Sequence, residues 1–176
     1  ISNEFREAGL KPLTGAKDYF QRFTIYKPTL ISQEGTLNED AVTQKNTVII
    51  TTQKEFSLTE SAGYEKKNIS SGDDFFSTAF QFIQSGKNYI VDVDSSFSKQ
   101  FVNLNFLKRN LPSTAGNVIF FLNNKPIEKY NVQAKHSFDT LQLMNVAGML
   151  PGKSRKEEYV IFSGHYDHLG IGKPVN

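Results

Sequence analysis

His165 and Asp167 are the two residues whose types and spacing best suit metal chemistry. They lie in segment 164–170, directly after the apolar run 159–163, which predicts a buried strand. A His and a carboxylate two residues apart at a strand end project to the same side, and ligands gather beyond the carboxyl ends of strands in open α/β sheets. A zinc-ligating imidazole usually donates its second ring N–H to a carboxylate. We therefore expect His165 to bind a metal and Asp167 to orient it.

Other interpretations of these residues remain open. An arbitrary His-x-Asp triplet is more often a polar pair at a strand end than a metal site. We expect His168 either to support the metal ligands without binding the metal or to be purely structural, and His136, in a polar segment, to be inert. A hydrolase of the metallo-β-lactamase-like class would need a histidine at position 163, where the chain has Ser163. The missing ligand argues against that class.

The composition predicts an ordinary folded protein. Of the 176 residues, 38% are hydrophobic and 22% are charged, and fifteen Phe with no Trp predict an aromatic core. The net charge is +2 and the basic residues are scattered, so nucleic-acid binding gains no support. No apolar run is long enough to cross a bilayer. The chain has no cysteine, which excludes thiolate metal sites and leaves His and carboxylates as metal ligands.

The elements at the two ends of the chain are expected to hold this site. Residues 2–8 predict a short helix capped by Gly9, and residues 19–26 predict a strand that Pro28 ends. Near the other end, residues 145–150 and 159–163 predict two apolar strands of a hairpin that enters a buried sheet. The first residue is isoleucine, which suggests a processed or trimmed chain.

The middle of the chain predicts a small α/β lobe. Residues 28–64 are polar and rich in turns and predict short antiparallel strands, whereas residues 89–122 predict a strand, a helical stripe and a second, parallel strand. Between them, Asp73 or Asp74 is a suitable N-cap for a helix stopped at Gly86. Its buried face is expected to include four residues spaced three or four apart, namely Phe76, Ala79, Phe80 and Ile83. Residues 130–136 predict an exposed edge strand.

Three blocks of the sequence resemble the zinc-dependent aminopeptidases of the leucyl aminopeptidase and glutamate carboxypeptidase type. They are Asn-Val-Ala-Gly-x-Leu-Pro-Gly at 145–152, Glu-Tyr-Val-Ile at 158–161, and Gly-His-Tyr-Asp-His-Leu-Gly at 164–170. The opening segment 2–13 is also similar to the first helix of that family. The resemblance implies a zinc ligand at His165 and a catalytic aspartate at Asp167, with two zinc ions in the full-length enzyme.

The resemblance also implies a domain organisation and an activity. Residues 1–27 and 126–176 would begin a mixed-sheet α/β/α zinc exopeptidase domain, and residues 28–125 would be an inserted lobe of the protease-associated type. The implied enzyme is a metallo-aminopeptidase that acts on peptides, is secreted or periplasmic, and is in some cases membrane-anchored through an absent N-terminus. Its further metal ligands would lie downstream of Asn176, so the 176-residue chain alone is expected to be inactive. The alternative is a non-catalytic binding or interaction protein on the same fold.

Overall fold

The computed structural model describes residues 1–123, 125–155 and 157–166. Its α-helices are α1 (Ser2–Glu7), α2 (Phe75–Gln84) and α3 (Ser98–Phe101), with 3-10 turns at Glu60–Ala62, Ser95–Phe97 and Val102–Phe106. Its strands are β1 (Phe20–Leu37), β2 (Asp40–Ala41), β3 (Thr47–Ile50), β4 (Glu55–Thr59), β5 (Glu65–Ile69), β6 (Tyr89–Asp94), β7 (Leu111–Pro112), β8 (Val118–Asn123) and β9 (Tyr130–Val146). Two compact units form: residues 22–145, and residues 1–21 with the described residues from 146 onward.

The larger unit contains a four-stranded sheet in the order β3-β8-β6-β5. β5, β6 and β8 are parallel, and β3 is antiparallel to β8. Helix α2 connects β5 to β6, and α3 with its flanking 3-10 turns connects β6 to β8. The predicted pair of parallel strands with a helical connection is therefore confirmed, and so is the α/β class of the fold. The single helical stripe predicted up to Pro112 is wrong, because the connection has only a four-residue helix between 3-10 turns and Leu111 lies in a strand.

Both faces of this sheet are buried. Successive side chains of a strand point to opposite faces, so Val91 of β6 packs in the core under the helices, whereas Ile90 packs in a second core. The second core is completed by a second sheet, which contributes Phe56 of β4 and Val132 of β9. A strand that is buried on both sides needs a continuous apolar run. Residues 118–121 form such a run, and each of them is 0% exposed.

The second sheet has the order β2-β1-β9-β4, and β7 pairs with the same strand β1. Thr24 contacts Gln142, and Asn38 accepts backbone N–H bonds near Lys129, so β1 and β9 run antiparallel. The prediction of an exposed edge strand at residues 130–136 is wrong, because β9 lies between β1 and β4. Its alternate residues from Tyr130 to His136 are buried, which is the period-2 pattern of a strand with one covered face.

Pro28 does not end β1, which continues to Leu37. On the side of β1 away from β9, pairing is found at Ile25 and Tyr26 with β7 and at Thr36 and Leu37 with β2. The stretch around Pro28 therefore has an open edge in the described part of the chain. A proline is tolerated in such a strand because its missing N–H removes no ladder hydrogen bond there.

The predicted buried face of α2 is also corrected. The helix begins after Asp74, whose side chain accepts a hydrogen bond from the Ser77 N–H, as the capping prediction required. Phe75, Ala79 and Ile83 are buried, whereas Phe76 and Phe80 are 39% and 45% exposed. The sequence of the helix contains two aromatic stripes one residue apart. The buried stripe is the one that includes Phe75, whose ring stacks on that of Phe97.

A buried polar cluster closes one end of the four-stranded sheet. The Thr51 hydroxyl donates to the Asn117 side-chain oxygen at 2.6 Å and accepts from the Gln53 N–H at 3.1 Å. The Asn117 side-chain nitrogen donates to the Tyr64 hydroxyl at 2.9 Å. Thr51 is 0% exposed, so water cannot replace these bonds without rearrangement.

Thr51→Val is expected to lower the free energy of unfolding by about 1 to 3 kcal/mol, because it keeps the side-chain shape and leaves the buried Asn117 side-chain oxygen without its hydrogen-bond donor. Urea titration of the two proteins measures this difference. Thr52→Val changes the partly exposed neighbour in the same chemical way and should cost at most about 0.5 kcal/mol. Equal losses for both variants would contradict a specific role for the buried hydroxyl.

The smaller unit brings the beginning of the chain against the segment after β9. The predicted helix is confirmed as α1, and Gly9 follows it with a φ of 75°. Lys11 and Met149 exchange backbone hydrogen bonds of 2.9 and 2.8 Å, and the Ala147 N–H donates to the Tyr19 carbonyl at 2.8 Å. At Gly148 an added Cβ would lie 2.7 Å from Phe5 Cδ2, so any larger residue would displace the Phe5 ring.

Candidate functional site

His165 is an exposed residue of the smaller unit. The segment before it was predicted to be a buried strand, and the structure contradicts this: residues 159–163 have no regular secondary structure. Tyr159, Val160, Ile161 and Phe162 are 71%, 83%, 84% and 93% exposed. Residues of these types form a strand only when a neighbouring strand pairs with them, and in the described part of the chain no strand pairs with this segment. The predicted hairpin with residues 145–150 is therefore wrong.

The described residues supply one candidate zinc ligand and not a complete zinc site. The imidazole of His165 has the right chemistry, and its exposure leaves room for further ligands. However, no three His, Cys, Asp or Glu side chains among residues 1–123, 125–155 and 157–166 lie close enough to hold a metal ion. Asp167 and His168 lie outside the described residues.

His136, which the sequence suggested to be inert and exposed, is 3% exposed in the larger unit. Its ring lies 6.1 Å from that of Phe138, and neither ring nitrogen has a hydrogen-bond partner in the described structure. Burial, assisted by the charge of Lys108, lowers the pKa of His136 to about 4. The residue is therefore a neutral core histidine at physiological pH.

A second candidate site, which sequence reasoning missed, is a cavity of about 750 Å³ in the larger unit. It lies where β5, β6 and β8 end, and its lining includes Asp92 and Asp94 of β6 and Asn123 of β8. The carboxyl ends of parallel strands are the usual place for a ligand in an open α/β sheet. The signal in the sequence was the alternation Val-Asp-Val-Asp at 91–94, since a central parallel strand is normally apolar on both faces.

The two carboxylates of this cavity differ in their surroundings. The Asp94 side chain accepts a hydrogen bond of 2.8 Å from the Ser96 N–H, and the bonds from Ser96 lower the pKa of Asp94. Asp92 is partly buried, and no hydrogen bond or ion pair to it is found in the described structure. Burial, and then the nearby charge of Asp94, raise the pKa of Asp92, whereas Lys66 opposes this shift. Asp92 is thus a partly buried carboxylate that has no direct partner among the described residues.

Comparisons of the chain with protein-family models, with curated proteins and with solved structures found no match. Within the described residues, no helix is long and apolar enough to span a membrane. The structure itself shows a mixed α/β protein with two sheets.

Proposed function

We propose that this chain is the N-terminal portion of a secreted zinc metallopeptidase that removes amino-terminal residues from peptides by means of a metal-activated water. His165 would be a ligand of one of two zinc ions, and Asp167 would orient its imidazole. The reaction class is metal-assisted hydrolysis, in which zinc lowers the pKa of a bound water and polarises the peptide carbonyl. The other ligands would come from outside the described residues.

The main support is the pairing of two sequence blocks that lie far apart in the chain. The opening segment 2–13 and the segment 145–152 are both parts of the resemblance to zinc aminopeptidases. In the structure Lys11 and Met149 exchange two backbone hydrogen bonds, and Gly148 packs against Phe5 and Leu10. The residues between them form a separate compact unit, 22–145. This arrangement fits an exopeptidase domain that is interrupted by an inserted protease-associated-like lobe.

The exposed run 159–162 gives further support. Four consecutive apolar residues, each at least 71% exposed, are unusual on the surface of a folded protein. Their aromatic and β-branched side chains favour a strand with both faces covered. In the proposed domain this segment would be a central strand of the mixed sheet, and His165 would follow its carboxyl end. The sheet that covers it would come from the remainder of the peptidase.

The proposal predicts zinc-dependent aminopeptidase activity for the longer protein that contains this chain. Dialysis against a chelator should abolish hydrolysis of aminoacyl-nitroanilides, and stoichiometric zinc should restore it, while circular dichroism shows that the fold persists. N-acetylated substrates are the matched control, since an exopeptidase of this type needs a free amino end. Activity that survives complete zinc removal would overturn the proposal. So would a zinc-loaded, folded protein that cleaves no aminoacyl substrate.

A further inference from the structure

The backbone that follows Met149 is exposed and belongs to no helix or strand. Residues 150–155 and 157–166 are exposed along their whole length, and Leu150 alone is 73% exposed. Met149 is still held by its two backbone hydrogen bonds to Lys11. For residues 150–154, however, no hydrogen bond or ion pair is found in the described part of the chain. This short stretch is therefore free to adopt the conformation that another protein imposes on it.

A free backbone of this kind is what an endopeptidase needs in its substrate. A peptide that binds as an added strand offers its main-chain N–H and C=O groups to the partner. Where those groups already belong to a helix or sheet, the segment must first unfold locally, and the cleavage rate falls with the fraction of molecules that are open. Most of residues 22–145 is paired in the two sheets. Cleavage within residues 150–154 has no such opening cost.

The side chains of this stretch indicate which class of endopeptidase would cleave it. Lys153 is exposed and lies between two small residues, Gly152 and Ser154, so nothing shields its ammonium group. A cationic side chain suits a protease whose specificity pocket has a carboxylate at its base. Arg155 is a poorer candidate, because its guanidinium already pairs with Glu158 at 3.1 Å and its carbonyl accepts the Glu158 N–H. The features therefore converge on the bond after Lys153.

We propose that the bond between Lys153 and Ser154 is a processing site for an endopeptidase that cleaves after basic residues. One water is consumed: the C–N bond breaks, the Lys153 carbonyl carbon gains an oxygen and becomes a carboxylate, and the Ser154 nitrogen becomes a protonated amino group. The hydrogen bonds between Lys11 and Met149 stay within the N-terminal product, whereas His165 leaves with the other product. Cleavage thus separates the proposed zinc ligand from both packed units, and the site itself does not depend on the proposed peptidase activity.

The test is limited digestion of the folded 176-residue chain with a lysine-specific endopeptidase, followed by intact mass measurement. The first product should be the fragment 1–153, and it should form at least about 100-fold faster than any product of a cut within residues 22–145. The fragment should then persist, because the paired strands resist the enzyme. A first cut at any other lysine, or digestion of the whole chain without an early product, would overturn the proposal.

Matched variants separate recognition from folding. Lys153→Gln should slow the loss of intact chain at least about tenfold without changing the melting temperature, since Lys153 is exposed and unbonded in the described structure. Lys153→Arg should resist the lysine-specific enzyme in the same way and be cut at this position by trypsin. Lys17→Gln removes an exposed lysine from the shorter loop before β1 and should leave the rate unchanged. A folded Lys153→Gln variant that is digested as fast as the wild type would contradict the assignment.

Discussion

If the protein is the zinc peptidase proposed above, replacing His165 with alanine is expected to lower kcat/KM for aminoacyl-nitroanilides by about 1,000-fold, or about 4 kcal/mol of transition-state stabilisation. The reason is that a ligand to a catalytic zinc both holds the ion and sets its charge. Steady-state kinetics give the loss in activity, and metal analysis of the purified variant gives its zinc content. The variant should contain fewer zinc ions per chain than the wild type, a readout independent of turnover.

Two neighbouring substitutions make the His165 result specific. Asp167→Asn should lower activity by a smaller factor, about 10- to 100-fold, because a residue that only orients a ligand leaves the ligand in place. His168→Ala removes a histidine from the same segment and should retain activity and zinc, since His168 is not a ligand in the proposed scheme. Wild-type activity in His165→Ala, or an equal loss in His168→Ala, would contradict the proposed ligand set.

Replacing His136 with leucine is expected to make the protein more resistant to acid. Burial lowers the pKa of His136 in the folded state to about 4, from its ordinary value of 6.5. Above pH 6.5 the imidazole is neutral in both states and contributes no pH dependence. As the pH falls from about 6.5 to about 4, the unfolded chain binds a proton that the native state excludes, so the native state loses up to about 3 kcal/mol of stability. His136→Leu lacks this loss.

Urea unfolding of both proteins at pH 7.5 and pH 4.5 measures the effect. The loss of unfolding free energy between these values should be about 2 to 3 kcal/mol smaller for His136→Leu than for the wild type. At pH 7.5 the variant should also be at least as stable, because two buried nitrogens without partners are removed. An unchanged acid loss in His136→Leu would show that this imidazole is not the group that titrates.

Local sequence signals predicted the elements that depend on neighbours in the chain. The side chain of Asp74 caps α2, the glycines after α1 and α2 adopt a positive φ, and the apolar run 118–122 lies in a buried strand, as each local pattern predicted. The errors occur where distant segments decide the outcome. Pro28 remains within β1 because of which strands flank it, and β9 is internal because β4 pairs with it from more than seventy positions earlier in the chain. No local pattern contains that information.

The candidate sites also separate what local sequence predicts from what depends on distant segments. The sequence identified His165 and Asp167 by type and spacing, but whether an imidazole becomes a zinc ligand depends on partners that converge from elsewhere. It missed the cavity at Asp92 because the carboxyl ends of three parallel strands meet only after the sheet forms. It also classed His136 as exposed, since a single histidine among polar residues gives no sign of which face of a strand it occupies.

The antiparallel course of β1 and β9 makes the two ends of the unit 22–145 neighbours. Near those ends, the Thr24 hydroxyl donates to the Gln142 side-chain oxygen at 3.0 Å. A module whose entry and exit strands are adjacent can be grafted into a surface loop of an unrelated host without stretching that loop. We therefore expect residues 22–145 to keep their fold when they are inserted into a surface loop of an unrelated protein, because neither protein's core has to change.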